Sequence, residues 1–343
     1  MDRTNVPGDG TILLFYKEFE ADKFIKYDRY LKRLIRPVYN LLHHWQKKTG
    51  FRVWFELLVS ALKKAGYDVR VNDYRFARRH PDYPVGVVGF PCILHKWTLP
   101  NPALLGPALY DHPGLAPDLF EDRRFRKYLV VADWTYDLFS SVYGERCVKW
   151  YAGIDLTRWS DTRHEQKDID FLVYDKIRWD HEQIVHDLLG PICARLERRG
   201  LKLRHVRYKY YDHTVFQTLL KRSKAMLFFC EHETQGLAYQ EALASNVPVL
   251  AWDSGYWADP LWKRFSKFKI PASSVPFFSP ACGETFAGLP EFDAALYKFL
   301  HRLPNYEPRM YVAEFLSMRK SADVYAEAYY SLLTEHSSAN MRA

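Results

Sequence analysis

The sequence predicts an α/β protein built from two successive halves, and three observations lead to this fold class. Short apolar runs of strand type alternate with amphipathic stretches of helical period, which is the order expected for parallel sheets flanked by helices. This alternation begins again near residue 168, so the pattern describes two units. The length of 343 residues suits two domains that each bury a core.

The first half contains four predicted strands and two predicted helices. Each helix is followed by a glycine, Gly66 or Gly144, which commonly takes the left-handed conformation after a helix end. The predicted strands are 11–16, 67–72, 85–90 and 127–132, and the predicted helices are 51–66 and 134–144.

The second half repeats the arrangement with four further strands. A long helical pattern over 181–200 contains Pro191, which predicts a kink or a break there. The predicted strands are 168–174, 201–208, 224–230 and 247–252, and the predicted helices are 181–200, 213–223, 236–246 and 308–333.

Composition limits the classes of partner and compartment. The formal net charge of +8 suits an anionic partner, such as a nucleotide diphosphate, a phospholipid surface or a nucleic acid. A nucleic acid is disfavoured because no DNA- or RNA-binding module is recognisable. The five cysteines are far apart without a C-x-x-C pair, which argues against disulfides and a zinc site. With no apolar leader or membrane-spanning run, we expect a cytoplasmic protein.

The most informative stretch is 225–252, which has the pattern strand, loop, helix, strand. Ligands of open parallel sheets bind beyond the carboxyl ends of strands, where the loop with Glu233 lies. Gly236 falls at the start of the helix, whose free N–H groups favour phosphate oxygens. A carboxylate beside phosphate would repel it, so Glu233 and Glu241 are expected to accept hydrogen bonds from sugar hydroxyls. The pattern predicts a site for a sugar and a ribose on either side of a diphosphate.

Residues 233–251, E-T-Q-G-L-A-Y-Q-E-A-L-A-S-N-V-P-V-L-A, resemble the E-x7-E signature of family 4 retaining glycosyltransferases. The usual family form is roughly E-G-F-G-L-P-x-x-E-A-M-A-x-G-x-P-V-x-A. The matching positions are Gly236, Leu237, Glu241, Ala242, Ala244, Pro248, Val249 and Ala251. The chain departs from the family at Gln235, Ala238 and Asn246.

The resemblance implies a GT-B fold, in which two Rossmann-like parallel-sheet domains face each other across a cleft. Residues 1–155 would form the acceptor-side domain and 156–335 the nucleotide-sugar domain, with the final helix packing back on the first domain. Residues 336–343 are expected to form a frayed tail. The segment G-I-D-L-T-R-W (153–159) resembles the family's crossover between the domains.

The resemblance also implies roles for individual residues. Lys176 and Arg178 directly follow the strand 168–174, where the family places the basic groups that stabilise the leaving diphosphate. Glu233 would hold hydroxyls of the donor sugar and Glu241 those of the ribose. The remaining donor-binding positions would be Thr234, Gln235, Gly236 and Leu237.

The sequence gives fewer signals for the residues that would bind the acceptor. The family's two-glycine loop is missing, and Gly50 is the best equivalent. His112, and after it His95, is the candidate for the histidine that the family places near the donor sugar. The basic, aromatic segment 23–48 is either an anionic-membrane contact or a solvated face above a core stripe.

The expected function is therefore transfer of a hexosyl unit from a nucleotide-diphosphate sugar to a glycan, glycolipid or other hydroxyl acceptor, without metal or cofactor. The D-x-D at 168–170 opens a strand, whereas a metal-binding D-x-D follows one. Alternatives are a sugar phosphorylase or epimerase on the same fold, and a non-catalytic peripheral membrane or scaffold protein. The expected location is the cytoplasm or the inner face of its membrane.

Overall fold

The computed structural model describes residues 10–17, 50–95 and 97–340, with side chains as far as residue 333. The described chain divides into two compact units. The first unit holds residues 10–17, 50–95, 97–153 and 318–340, and the second holds 154–317. The boundary between Gly153 and Ile154 lies two residues before the one expected from the sequence.

The first unit contains a six-stranded, wholly parallel sheet in the order β2-β1-β3-β4-β5-β6. Its strands are β1 (Thr11–Lys17), β2 (Asp68–Val71), β3 (Val85–Gly89), β4 (Ala103–Leu105), β5 (Phe125–Val130) and β6 (Cys147–Lys149). Its first helices are α1 (Gly50–Lys64), α2 (Tyr74–Arg79) and α3 (Asp133–Tyr143). The sequence pattern missed β4 and β6 because three residues are too few to show a period.

The core of the first unit lies on the sheet under the helices and loops. Phe15 of β1 and Tyr128 of β5 are buried. The edge of the Trp97 ring meets the Phe15 ring at a centroid distance of 5.5 Å, and the Phe139 ring stacks on that of Tyr128 at 5.1 Å. Side chains of the strands, of helix α3 and of the loops therefore form one apolar cluster.

The second unit contains a five-stranded parallel sheet in the order β11-β10-β9-β7-β8. Its strands are β7 (Ile169–Asp175), β8 (Leu203–Arg207), β9 (Ser223–Phe229), β10 (Val249–Trp252) and β11 (Gly283–Phe286). Its helices are α4 (His181–Ile184), α5 (Gly190–Arg198), α6 (His213–Arg222), α7 (Leu237–Ala244), α8 (Leu289–Arg302) and α9 (Pro308–Phe315). A π-helical turn over Val185–Leu189 joins α4 to α5 just before Pro191, within the predicted helix 181–200.

The single helix predicted over 308–333 is two helices in the structure. Helix α9 ends at Phe315, and α10 (Met318–Asn340) follows in the first unit. The break arises at Leu316, whose carbonyl accepts the N–H of Ile154 at 2.9 Å instead of continuing a helical ladder. Helix α10 continues to Asn340, beyond the residue 335 at which the sequence placed the end of the domain.

Helix α10 is tied to the sheet of the first unit by tyrosine hydroxyls. The Tyr329 hydroxyl accepts the N–H of Leu13 at 3.0 Å and donates to the carbonyl of Pro84. The Tyr330 hydroxyl donates to the carbonyl of Thr11 at 3.2 Å. These bonds satisfy buried polar groups at the edge of the core.

The predicted α/β class with two Rossmann-like parallel sheets is confirmed. In the second sheet the chain runs from β7 outward to β8 and then crosses to β9 on the other side of β7. Such a reversal of direction opens a crevice at the carboxyl ends of the two central strands, where ligands of open α/β sheets bind. No helix among the described residues is long and apolar enough to cross a membrane.

Candidate functional site

The loops that follow β7 and β9 lie side by side in the second unit. Asp175 and Phe229 pair at the ends of these strands, and the N–H of Lys176 donates to the carbonyl of Phe229 at 2.8 Å. Lys176 therefore leaves β7 next to the residues that leave β9. This juxtaposition brings the predicted basic residues to the predicted acidic loop.

Lys176 and Glu233 form an ion pair in which the lysine Nζ donates to Glu233 Oε1. Their side chains are only 15% and 9% exposed. Burial lowers the pKa of Lys176, but the Glu233 carboxylate and neighbouring groups outweigh burial, so the pKa is raised. The ring of Tyr208 lies 4.7 Å from the lysine Nζ. Lys176 is thus a fixed positive charge at neutral pH.

Glu231, which no sequence motif marks, holds the loop that carries Arg178. Glu231 Oε1 accepts the N–H groups of Arg178 and Trp179, at 2.7 and 3.0 Å. The other carboxylate oxygen lies 3.5 Å from the Arg178 Nε. The Arg178 guanidinium also donates to the carbonyl of His232. A glutamate in a loop directly after an apolar strand is the sequence signal that could have revealed it.

Gly236 precedes α7 in the left-handed conformation, with a φ of 82°. A Cβ there would lie 2.1 Å from the buried ring of Tyr239, so only glycine fits. Within the described part of the chain, the backbone N–H groups of Gly236 and Leu237 have no hydrogen-bond acceptor. These donors and the helix dipole favour an anion at this point.

Two other predicted donor-binding residues of this loop differ in accessibility. Thr234 is exposed and accessible to a ligand. Gln235 is 1% exposed, and its side-chain amide donates to Gln240 Oε1 at 2.9 Å, while the Gln240 amide donates back to the Gln235 carbonyl at 3.0 Å. The Gln235 side chain therefore braces the loop.

Glu241 of α7 is 6% exposed, and its carboxylate has no hydrogen-bond partner among the described residues. Burial raises the pKa of Glu241 to about 8, against a smaller lowering effect of Arg158. The hydroxyls of Tyr174 and Tyr211 bond each other at 2.9 Å in the same region, and the pKa of each is raised by burial and by Glu241. A ligand with hydroxyl groups would supply the hydrogen bonds that this carboxyl group lacks.

Three ring-bearing side chains lie beside the loop that follows β9 and carries Glu231 and Glu233. The Trp179 ring stacks on that of His232 at a centroid distance of 5.2 Å, and Trp257 meets His232 edge-on at 6.3 Å. His232 Nδ1 accepts the N–H of Ala258 at 3.2 Å. Burial, with the charges of Arg178 and Lys176, lowers the pKa of His232 to about 2. The imidazole is therefore neutral and acts here as a packing and hydrogen-bonding group.

Two predicted site residues belong to the first unit. Gly50 is the exposed first residue of α1. The buried His112 accepts the N–H of Gly114 at its Nδ1, at 2.9 Å, and so caps a short 3-10 turn. Burial lowers the pKa of His112. The ligand-binding roles assigned to both residues stay predictions, and segment 23–48 lies outside the described residues.

The two aspartates of the D-x-D form ion pairs with basic residues. Asp168 pairs with Arg222, and Asp170 accepts from Lys224 Nζ at 2.8 Å. Over the described ranges, no group of three or more histidine, cysteine or acidic residues is arranged to hold a metal ion.

No protein-family model and no curated protein sequence matches the chain. Solved structures do match it. A glycosyltransferase from Rickettsia africae ESF-5 aligns at a TM-score of 0.55 and 12% identity, over 94% of this chain and 98% of that one. Sucrose-phosphate synthase from Thermosynechococcus elongatus aligns at 0.55 and 10% identity, over 95% and 99%.

A third match, TarM, aligns at a TM-score of 0.48 and 12% identity over 75% of this chain, which spans 56% of the TarM chain. The two matches at a TM-score of 0.55 establish the fold alone, because their sequence identities are low. The chain has the GT-B fold of glycosyltransferases.

Proposed function

We propose that the chain is a retaining, metal-independent glycosyltransferase of the family 4 type. It moves a hexosyl unit from a nucleotide-diphosphate sugar to a glycan, a glycolipid or another hydroxyl acceptor. The observation that carries the proposal is the convergence, at the carboxyl ends of β7 and β9, of Lys176, Arg178, Glu233 and the free N–H groups that open α7. The GT-B fold is consistent with this activity but does not establish it.

The arrangement suits a diphosphate leaving group. Breaking the bond from the anomeric carbon to the diphosphate oxygen places negative charge on the diphosphate, and fixed cations and N–H groups stabilise that charge most strongly in a dry site. Lys176 and Arg178 would supply the cations, and Gly236 and Leu237 the N–H groups. No metal ion is needed to neutralise the developing charge.

The acidic residues suit the two sugars of the donor. Glu233 would accept hydrogen bonds from hydroxyls of the transferred hexose while Lys176 holds its carboxylate in place. Glu241, buried without a protein partner among the described residues, would bond the ribose hydroxyls. Thr234 would contact the donor from the exposed side of the loop.

The proposed reaction transfers the sugar on a single face. The acceptor oxygen forms its bond to the anomeric carbon as the bond to the diphosphate breaks, and the acceptor proton passes to a leaving phosphate oxygen. The configuration at the anomeric carbon is thereby kept. The base in this scheme is the leaving group, so no protein nucleophile is required.

The test is consumption of UDP-, GDP- and ADP-hexoses in the presence of EDTA, with water and with alkyl glycosides as acceptors, followed by NMR of the product anomer. We expect one nucleotide class to be turned over, with retention and without added metal. Arg178→Ala should lose this turnover, whereas Arg204→Ala, an exposed arginine on β8, should keep it. Inverted product, strict dependence on Mn²⁺, or no turnover of any donor would refute the proposal.

Location and membrane contact complete the proposal. We propose that the protein acts in the cytoplasm or at the inner face of the membrane, with the basic segment 23–48 as one contact to anionic lipid. Loss of vesicle binding on deletion of 23–48 would support this contact, and unchanged binding would contradict it.

A further inference from the structure

Part of the loop between β10 and β11 is closed at its base by backbone pairing. Tyr256 and Pro271 pair as an antiparallel bridge, and the N–H of Trp257 donates to the carbonyl of Ile270 at 2.8 Å. We call residues 257–270 the basic loop. Its base rests against the proposed active site, since Trp257 and Ala258 contact His232.

The outer part of the basic loop is strongly cationic. Residues 260–270 contain four basic residues and no acidic residue. All four are exposed, and they are Lys263, Arg264, Lys267 and Lys269. The one acidic residue of the basic loop, Asp259, lies at its base and accepts the N–H of Leu261 at 2.9 Å. The outer part therefore carries only positive charge, which attracts an anionic surface.

The basic loop carries a phenylalanine whose side chain is exposed to solvent. Phe268 is 81% exposed, more than any other large apolar side chain among the described residues. The Ser266 hydroxyl fixes this turn, because it accepts the N–H of Phe268 at 3.0 Å and donates to the Phe268 carbonyl at 2.7 Å. These bonds hold the backbone of the turn that carries the exposed ring.

We propose that the basic loop docks the protein on an anionic lipid bilayer. Lys267 and Lys269 flank Phe268, so that the ring can enter the acyl boundary while the ammonium groups meet lipid phosphates. A soluble polyanion would use the cations but would give no reason to hold an apolar ring in water. The loop is distinct from segment 23–48, and its binding can be measured without any sugar donor.

The test is cosedimentation of the full chain with vesicles of phosphatidylcholine alone and of phosphatidylcholine with 30 mol% phosphatidylglycerol. We expect binding only to the anionic vesicles, and weaker binding as salt rises. Each cation near such a surface strengthens binding about fivefold. Lys267→Gln with Lys269→Gln should therefore weaken binding about 25-fold, and Phe268→Ser about tenfold.

Matched controls separate the loop from overall charge and apolarity. Lys202→Gln with Lys221→Gln removes two exposed cations elsewhere on the second unit, and Tyr297→Ser removes a 73% exposed ring on α8. Both controls should bind vesicles like the wild type, and circular dichroism should show all variants folded. Equal losses in loop variants and controls, or loop variants that bind like the wild type, would overturn the proposal. Binding of polyphosphate or RNA with no vesicle binding would also overturn it.

Discussion

Replacing Glu241 by glutamine should stabilise the second unit, and the gain should grow as the pH rises. The carboxyl group is buried and has no partner among the described residues, and burial raises its pKa to about 8 from 4.5. A group whose pKa is raised by folding contributes its full stability below the unfolded pKa. That contribution is lost as the pH rises towards the folded pKa. The window for Glu241 is therefore pH 4.5 to 8.

The expected size follows from about 1.4 kcal/mol for each pKa unit. Compared with glutamine, ionisable Glu241 leaves the unfolding free energy almost unchanged near pH 4.5. It lowers that free energy by at most about 3 kcal/mol at pH 7 and about 4 kcal/mol at pH 8. Glutamine keeps the shape of the side chain and cannot ionise. The difference in unfolding free energy between Glu241→Gln and the wild type should thus rise steadily over this range.

The assay is urea unfolding followed by circular dichroism at half-unit steps from about pH 3 to about pH 8.5, without nucleotide. Glu284→Gln is the matched control, and it should lower the unfolding free energy where Glu241→Gln raises it. Hydrogen bonds from Lys298, Tyr306 and Arg302 outweigh burial and lower the pKa of Glu284, so its stabilisation is present above 4.5 and lost in acid. A pH-independent difference for Glu241→Gln, or a destabilisation that grows with pH, would show that Glu241 is ionised and solvated in the folded protein.

Three further variants test the parts of the site separately. Lys176→Met should lower kcat in steady-state turnover by about 100- to 1,000-fold, because the fixed positive charge is lost. Lys209→Met is the control and should turn over at a rate near that of the wild type, since Lys209 is an exposed lysine that follows the neighbouring strand β8. Gly236→Ala should lower the unfolding free energy by about 1–3 kcal/mol more than Gly200→Ala. Both glycines have a positive φ, but only a Cβ at Gly236 would meet a buried ring. Equal losses of stability in thermal unfolding would contradict this. Glu231→Gln should raise the donor KM more than it lowers kcat, since the carboxylate holds the loop rather than the reacting atoms; a kcat loss alone in initial-rate measurements would argue otherwise.

Long periodic elements could be predicted from the sequence, because their burial repeats over enough residues. The strands β1, β7 and β9 and the helix α1 lie within two residues of their predicted ends. Strand β11 was missed because its two central residues, Glu284 and Thr285, are polar, and helix α8 was missed because it follows a loop of irregular composition. The division of 308–333 into two helices depends on the Leu316 carbonyl bonding Ile154, a distant partner that no local pattern encodes.

The site shows the same division between local and long-range information. Glu233, Gly236 and Glu241 lie in one continuous segment, so their common location could be predicted from spacing alone. Lys176 pairs with Glu233 because the strands β7 and β9 end side by side. The pairing could be predicted only if these two strands were already known to be neighbours in the sheet. The role of Glu231 depends on the path of the loop after β7, which sequence period does not describe.

We expect a nucleotide diphosphate to bind at the start of α7, beside Lys176 and Arg178. The most direct test of this binding is the thermal shift of the wild type, Arg178→Ala and Arg204→Ala with UDP, GDP and ADP under EDTA. At 100 times Kd a ligand stabilises a protein by about 2.7 kcal/mol, so one nucleotide should shift the wild type and the Arg204→Ala control clearly. Arg178→Ala should stay folded and lose most of this shift. A full shift in Arg178→Ala, or no shift of the wild type by any of the three nucleotides, would contradict it.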